Sequence, residues 1–165
     1  MKVAADLAPA VREQFMRVAL TMAERGMAAG GPPVGACLVR GTEVVASGHN
    51  AVISDLDVTA HAEVAVIRSA CRELRTLDLA GCALFVTVEP CLMCLAASYY
   101  AGINEICYGA SLEDMQAVTG AELSAPVSQV FADQPDAPRI TGGILDADCR
   151  ALLETWGMRQ SGRVR

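Results

Sequence analysis

Cys82-Ala83-Leu84-Phe85-Val86-Thr87-Val88, followed at once by Glu89-Pro90-Cys91-Leu92-Met93-Cys94, is the stretch on which the fold turns. Its first seven residues read as a compact apolar strand. Pro90 suits the first turn of a helix, where its missing N–H costs nothing, and that helix is predicted to reach Ala101. Residues 103–108 then form another buried strand. Working outward to the N-terminal side, residues 60–74 read as a helix with Asp57 or Thr59 as its N-cap, entered from a polar loop over 50–59. Two strands, 34–39 and 43–47, precede that loop and join through Arg40-Gly41-Thr42. A helical period over 8–29 places Val11, Phe15, Val18, Leu20 and Met22 near one face and ends at Gly30-Gly31-Pro32-Pro33. On the C-terminal side, residues 111–137 yield a short helix and a loop punctuated by Pro and Asp. Arg139–Thr141 reads as a last strand and 146–156 as a closing helix. A helix, a hairpin and two strand–helix–strand alternations make an α/β layered domain with helices on both faces of the sheet.

In such folds ligands gather beyond the carboxyl ends of the strands, where the next helices begin. All the candidate chemistry falls on that edge: His49-Asn50 after the second strand, His61-Ala62-Glu63 opening a helix, and Cys91 and Cys94 after the third strand. One imidazole and two thiols supply three corners of a zinc site, and Glu63 is a carboxylate not needed as a ligand. A fourth corner left open to water is what separates a catalytic zinc from a structural one. Spacing of three puts both sulfurs on one side of a helix start, where the dipole favours the thiolate that zinc binds. Two buried apolar cysteines are the plainer alternative, and His49 is the competing imidazole. Cys37, Cys71, Cys82, Cys107 and Cys149 are available to close the fourth corner, although Cys82 and Cys107 lie in apolar strands and Cys71 deep in a helix.

Glu63 stands two residues after His61, so its side chain points away from the ligand direction, toward water beside the metal. There it can act as the general base that passes a proton to a leaving amine; a solvated first-turn Glu is the alternative. Asn50 can pair with a base edge, or simply end a strand in a turn. The backbone amides of Ala62 and Cys91 are further donors at the site. Glu89 sits at the rim, next to a helix start, where a structural role competes with a substrate contact.

With 165 residues the chain suits a single domain, able to bury roughly 70% of its unfolded surface. Seven cysteines without a secretion signal read as reduced thiols in the cytoplasm, and no apolar run approaches membrane-spanning length. The net charge is −6, and residues 105–148 carry eight acidic side chains against Arg139 alone. Phosphate backbones are held by Lys and Arg, so this half is a poor nucleic-acid platform. Arg159, Arg163 and Arg165 form the one basic cluster.

The His-x-Glu…Pro-Cys-x-x-Cys pattern resembles that of the cytidine/deoxycytidylate-type zinc-dependent deaminase family. The flanking Gly35-Ala36, His49-Asn50, Thr59-Ala60 and Ile67-Arg68 share the likeness, over residues 30–109. The resemblance implies a three-layer α/β/α fold on a mixed five-stranded sheet; the length and the terminal arginines read as one domain over 1–158 and a basic tail over 159–165. It implies Zn2+ held by His61, Cys91 and Cys94, Glu63 as proton shuttle, Asn50 as base contact, and a homodimer. Ala62 and Glu89 are added on the substrate side. Ala70-Cys71, Leu95, Ala97, Tyr99 and Ala101 resemble the guanine deaminase branch, whereas residues 140–145 and Cys149-x-Ala151-Leu152-Leu153 resemble the ending of tRNA adenosine deaminases. The expectation is hydrolytic deamination of a nucleobase, guanine to xanthine first. Adenosine in tRNA, cytosine, and a non-catalytic zinc-stabilised interaction module are the alternatives.

Overall fold

A computed structural model describes residues 7–123, 125 and 127–161. Its elements are α1 (Pro9–Ala28), β1 (Gly35–Arg40), β2 (Glu43–His49), α2 (Val52–Asp55), α3 (Ala62–Leu74), β3 (Cys82–Val88), α4 (Leu92–Tyr100), β4 (Glu105–Ala110), α5 (Leu112–Thr119), α6 (Val127–Val130), β5 (Arg139–Thr141) and α7 (Asp146–Ser161). The strands lie in the order β2-β1-β3-β4-β5. β1 runs antiparallel to both β2 and β3, while β3, β4 and β5 are parallel. This is the mixed five-stranded sheet expected. β3 is buried at all seven positions and holds the centre, which is why it carries no polar alternation.

Helices cover both faces. α1 packs on β1, β2 and β3 and meets α7, which covers β4 and packs against α5; α3 packs on β2 and β1 from the opposite side and meets α4. Alternation along β1 assigns its residues to the two layers. The Cys37 thiol donates to the Phe15 carbonyl of α1 at 3.4 Å, and the Phe15 and Phe85 rings lie 5.3 Å apart in that same layer. Gly35, two residues before Cys37, lets the α1 backbone come close: a Cβ there would stand 2.1 Å from the Ala19 carbonyl oxygen and 2.3 Å from the Ala23 nitrogen. Gly35→Ala must therefore push α1 off the sheet, and is expected to cost at least about 2 kcal/mol in urea unfolding. An unchanged unfolding midpoint would show that α1 has slack.

The carboxyl ends of β2, β3 and β4 and the start of β1 share one edge, with Gly35 opposite His49 and Val88 opposite Ala110. At the far edge Glu105 is fully buried, with Arg139 at 3.1 Å and Arg12 at 3.9 Å tying β5 and α1 to β4.

Several boundaries differ from the sequence expectation. The cap of α3 is His61 rather than Asp57 or Thr59, and α4 starts at Leu92 with Cys91 as its cap. Both caps are extended, with ψ of 153° and 171°, because each residue is still leaving the preceding loop or strand. Residues 52–55 form a helical turn inside the loop expected over 50–59. β4 lies two residues later than expected, at Glu105–Ala110. α5 is fixed by a capping box between Ser111 and Asp114. α7 continues to Ser161, so Arg159 is helical rather than part of a tail. Arg163 and Arg165 lie outside the described residues. Among the described residues, no helix is long and apolar enough to cross a membrane.

Candidate active site

Because the caps of α3 and α4 face each other across the carboxyl edge, three donor atoms converge. His61 Nδ1 lies 3.6 Å from Cys91 Sγ and 3.6 Å from Cys94 Sγ, and the two sulfurs are 3.7 Å apart. Zinc binds sulfur at about 2.3 Å and nitrogen at about 2.0–2.1 Å. Tetrahedral angles then set the ligand atoms about 3.8 Å apart for S···S and about 3.6 Å for S···N. The three side chains thus match three corners of a zinc tetrahedron. No other His, Cys, Asp or Glu among the described residues joins this group. His49 instead sets its Nδ1 3.0 Å from the Asn50 carbonyl. The remaining cysteines are free, and four of them (Cys37, Cys82, Cys107 and Cys149) are buried in the core cluster.

Charge follows from this packing. The neighbouring Cys94 thiol, helped by His61, brings Cys91 down to about 4, so it is a thiolate at neutral pH. Cys94 keeps the shared proton and is pushed up by Cys91 and by burial. His61 is raised by its hydrogen bond to Cys91, with the Glu63 and Glu122 carboxylates acting in the same direction. Glu63 is only 3% exposed, and burial pushes its carboxyl up to about 7. Its Oε2 is buried with no hydrogen-bond partner in the structure. An orphaned carboxylate oxygen beside three converging donors is placed for a water held at the fourth corner.

These groups open into a cavity of about 400 Å³. Asn50, 7% exposed, lines it, with its Oδ1 accepting from the Val52 amide at 3.1 Å. That bond leaves the Asn50 NH2 as the group available to a ligand. Glu89 also lines the cavity, but its Oε2 accepts from the Leu112 amide at 3.0 Å, so it fastens α5 to the site edge. Ala62 is buried in the core and is not among the lining residues.

The sequence of residues 9–110 matches the cytidine and deoxycytidylate deaminase zinc-binding region. The chain belongs to this deaminase family. Within it, the chain is 43% identical to the tRNA-specific adenosine deaminase of Aquifex aeolicus over 99 residues, 60% of this chain and 66% of that protein. It is also 43% identical to the guanine deaminase of Bacillus subtilis over 103 residues, 62% of this chain and 66% of that one. Among solved structures, the guanine deaminase of Nitrosomonas europaea superposes with a TM-score of 0.79 at 26% identity, covering 95% of this deaminase chain and 87% of the other.

The deaminase pocket contains residues that sequence reasoning did not single out. Glu122 lines it from the segment after α5, held by the Thr119 hydroxyl at 2.8 Å and by the Gln116 side chain at its amide. Trp156 lines it from α7, and Val52 and Val58 from the loop before α3. Nothing in the spacing of residues 119–123 announces Glu122. A lone tryptophan on the closing helix was the only available signal for Trp156.

Proposed function

We propose that this chain is a zinc-dependent free-nucleobase deaminase that converts guanine to xanthine and ammonia. One observation carries the reading: the pocket around the metal ligands is lined by three carboxylates, Glu63, Glu89 and Glu122, and, among the described residues, by no Lys or Arg. A tRNA strand needs cations against its phosphates. A free purine instead offers ring N–H groups to carboxylates and a carbonyl oxygen to the Asn50 amide.

Bound zinc supplies the Lewis acidity that makes water nucleophilic near neutral pH. His61, Cys91 and Cys94 are the residues that would hold it. Glu63 accepts a proton from water as the water oxygen bonds to the ring carbon bearing the amine and passes it to the adjacent ring nitrogen; it then takes the remaining proton from the added hydroxyl and gives it to the amine, so that the C–N bond breaks, a C=O forms and ammonia leaves. Glu122 accepts from a ring N–H, Asn50 donates to the ring's acceptor, and Trp156, Leu92 and Met93 exclude water from the flat faces.

A second reading, adenosine in tRNA, is favoured by the likeness to the Aquifex aeolicus relative and by the sequence over 140–145. Ammonia release from guanine, adenine, cytosine and a tRNA anticodon stem, assayed in parallel, decides between them. Guanine is expected to react fastest, and reaction of the tRNA alone would overturn the first reading. Trp156 is the only tryptophan, so guanine binding to the zinc-loaded Glu63→Gln protein is expected to shift its emission saturably. Emission insensitive to guanine would place the base elsewhere. We further propose a cytoplasmic homodimer of a single domain, the cytoplasm on the strength of its free cysteines and the dimer on the strength of its deaminase family. Light scattering tests the dimer.

A further inference from the structure

We propose that Arg68 is a positioning residue for base binding: through Thr59 and Asp57 it fixes the 50–61 segment that walls the pocket. The inference builds on the deaminase reading of the site. The segment carries Asn50 at one end and His61 at the other, and Val52 and Val58 between them line the cavity. Apolar packing does little to hold it. Ile53 is 57% exposed, Leu56 93% and Val58 80%, and only Asn50 and Ala60 are buried. Leu56 moreover has a left-handed φ of 51°, a conformation that costs a non-glycine residue about 1–2 kcal/mol.

Polar bonds supply what burial does not. Asp57 Oδ1 accepts from the Thr59 amide at 2.8 Å and from the Thr59 hydroxyl at 2.7 Å. Arg68, on the second turn of α3, donates Nη2 to Thr59 Oγ1 at 3.0 Å and sets Nη1 3.5 Å from Asp57 Oδ2. The clamped turn is joined to both functional ends: the Ala60 amide donates to the Asp57 carbonyl, the His61 amide to the Thr59 carbonyl, and the Ala51 amide to the Ala60 carbonyl. A planar guanidinium can engage Thr59 and Asp57 together, which an ammonium on a flexible stem does poorly. These partners of Arg68 lie on the substrate wall and are not metal ligands. Its removal is therefore expected to loosen the wall while the metal stays.

The test compares zinc-loaded full-length wild type with Arg68→Ala, Arg68→Lys, Asp57→Ala and the Arg68→Ala/Asp57→Ala pair, using whichever base the wild type deaminates fastest. Arg68→Ala is expected to raise KM about three- to tenfold, up to about 1.4 kcal/mol, with kcat within about twofold and the zinc content unchanged. Arg68→Lys should fall between the two. The double variant should be no worse than the more impaired single one, because both residues act in one unit. About 0.5 M salt should raise the wild-type KM and leave that of Arg68→Ala nearly unmoved. An unchanged KM in Arg68→Ala, or a fall in kcat together with zinc loss, overturns the assignment. Should the wild type turn over no base, the functional reading fails by itself. Hydrogen exchange at the Ala51, Ala60 and His61 amides then still decides the clamp, with faster exchange in Arg68→Ala supporting it and unchanged exchange refuting it.

Discussion

Glu63→Gln is expected to keep zinc and to lose turnover by about 10²–10⁴-fold, the usual worth of a positioned general acid–base group. The metal ligands are His61, Cys91 and Cys94 on this reading, and the Glu63 carboxylate stands outside their set with Oε2 lacking a partner. An amide fills the same space but cannot accept and return a proton. Metal analysis beside steady-state rates checks the point. A variant that loses zinc in step with activity would make Glu63 part of the metal shell. The same substitution carries a second signature in the metal-free protein. Burial raises the folded-state Glu63 carboxyl from 4.5 to about 7. Between those values the unfolded chain ionises while the folded one stays protonated, so stability falls as pH rises through the window and the loss is complete above it. At 1.36 kcal/mol per pKa unit the full loss is on the order of 3 kcal/mol. Metal-free Glu63→Gln escapes it, and should outlast metal-free wild type in denaturant at pH 8 with no such advantage at pH 4.

Cys94→Ser is expected to abolish both zinc retention and turnover. With three protein ligands and no fourth among the described residues, removal of one thiolate leaves a site that cannot compete for the ion. The loss of affinity should exceed the roughly 10–100-fold that removal of an outer-shell partner costs. Cys71→Ser, whose thiol is half-buried and outside the ligand group, should retain the metal. Uptake has a proton signature as well. Cys91 is already a thiolate, Cys94 holds the shared proton, and His61 is raised. Zinc binding at pH 7 should therefore release about one proton from Cys94 and a fraction from His61, so that affinity weakens on acidification. A calorimetric titration in buffers of different ionisation enthalpy measures the release. A proton count of zero would mean that the thiolate pair is not what binds.

Much of this was legible in order along the chain. The apolar run at Cys82–Val88 could be nothing but a buried strand, and Pro90 with Cys91 marked the approach to a helix. His61, Glu63, Cys91 and Cys94 are each named by side-chain chemistry that has few other uses at such spacing. Asn50 was singled out because an amide immediately after a strand on the ligand edge has a short menu of roles, and it does line the cavity. The exact caps were not. Whether His61 or Thr59 ends the loop depends on bonds between the loop and α3, among them those of Arg68, and no local preference encodes them.

The chain alone named the main strands and helices, the three donors and a carboxylate beside them, because periodicity and ligand chemistry are local properties of sequence. Tertiary structure decided that the three donors stand 3.6–3.7 Å apart, that Glu63 loses its solvent, and that Glu122 and Trp156 close on the same cavity. Those facts join residues as much as 95 positions apart, from His61 to Trp156. They follow from how helices settle on a sheet, where burial energy is shared among many side chains and no single stretch carries the instruction.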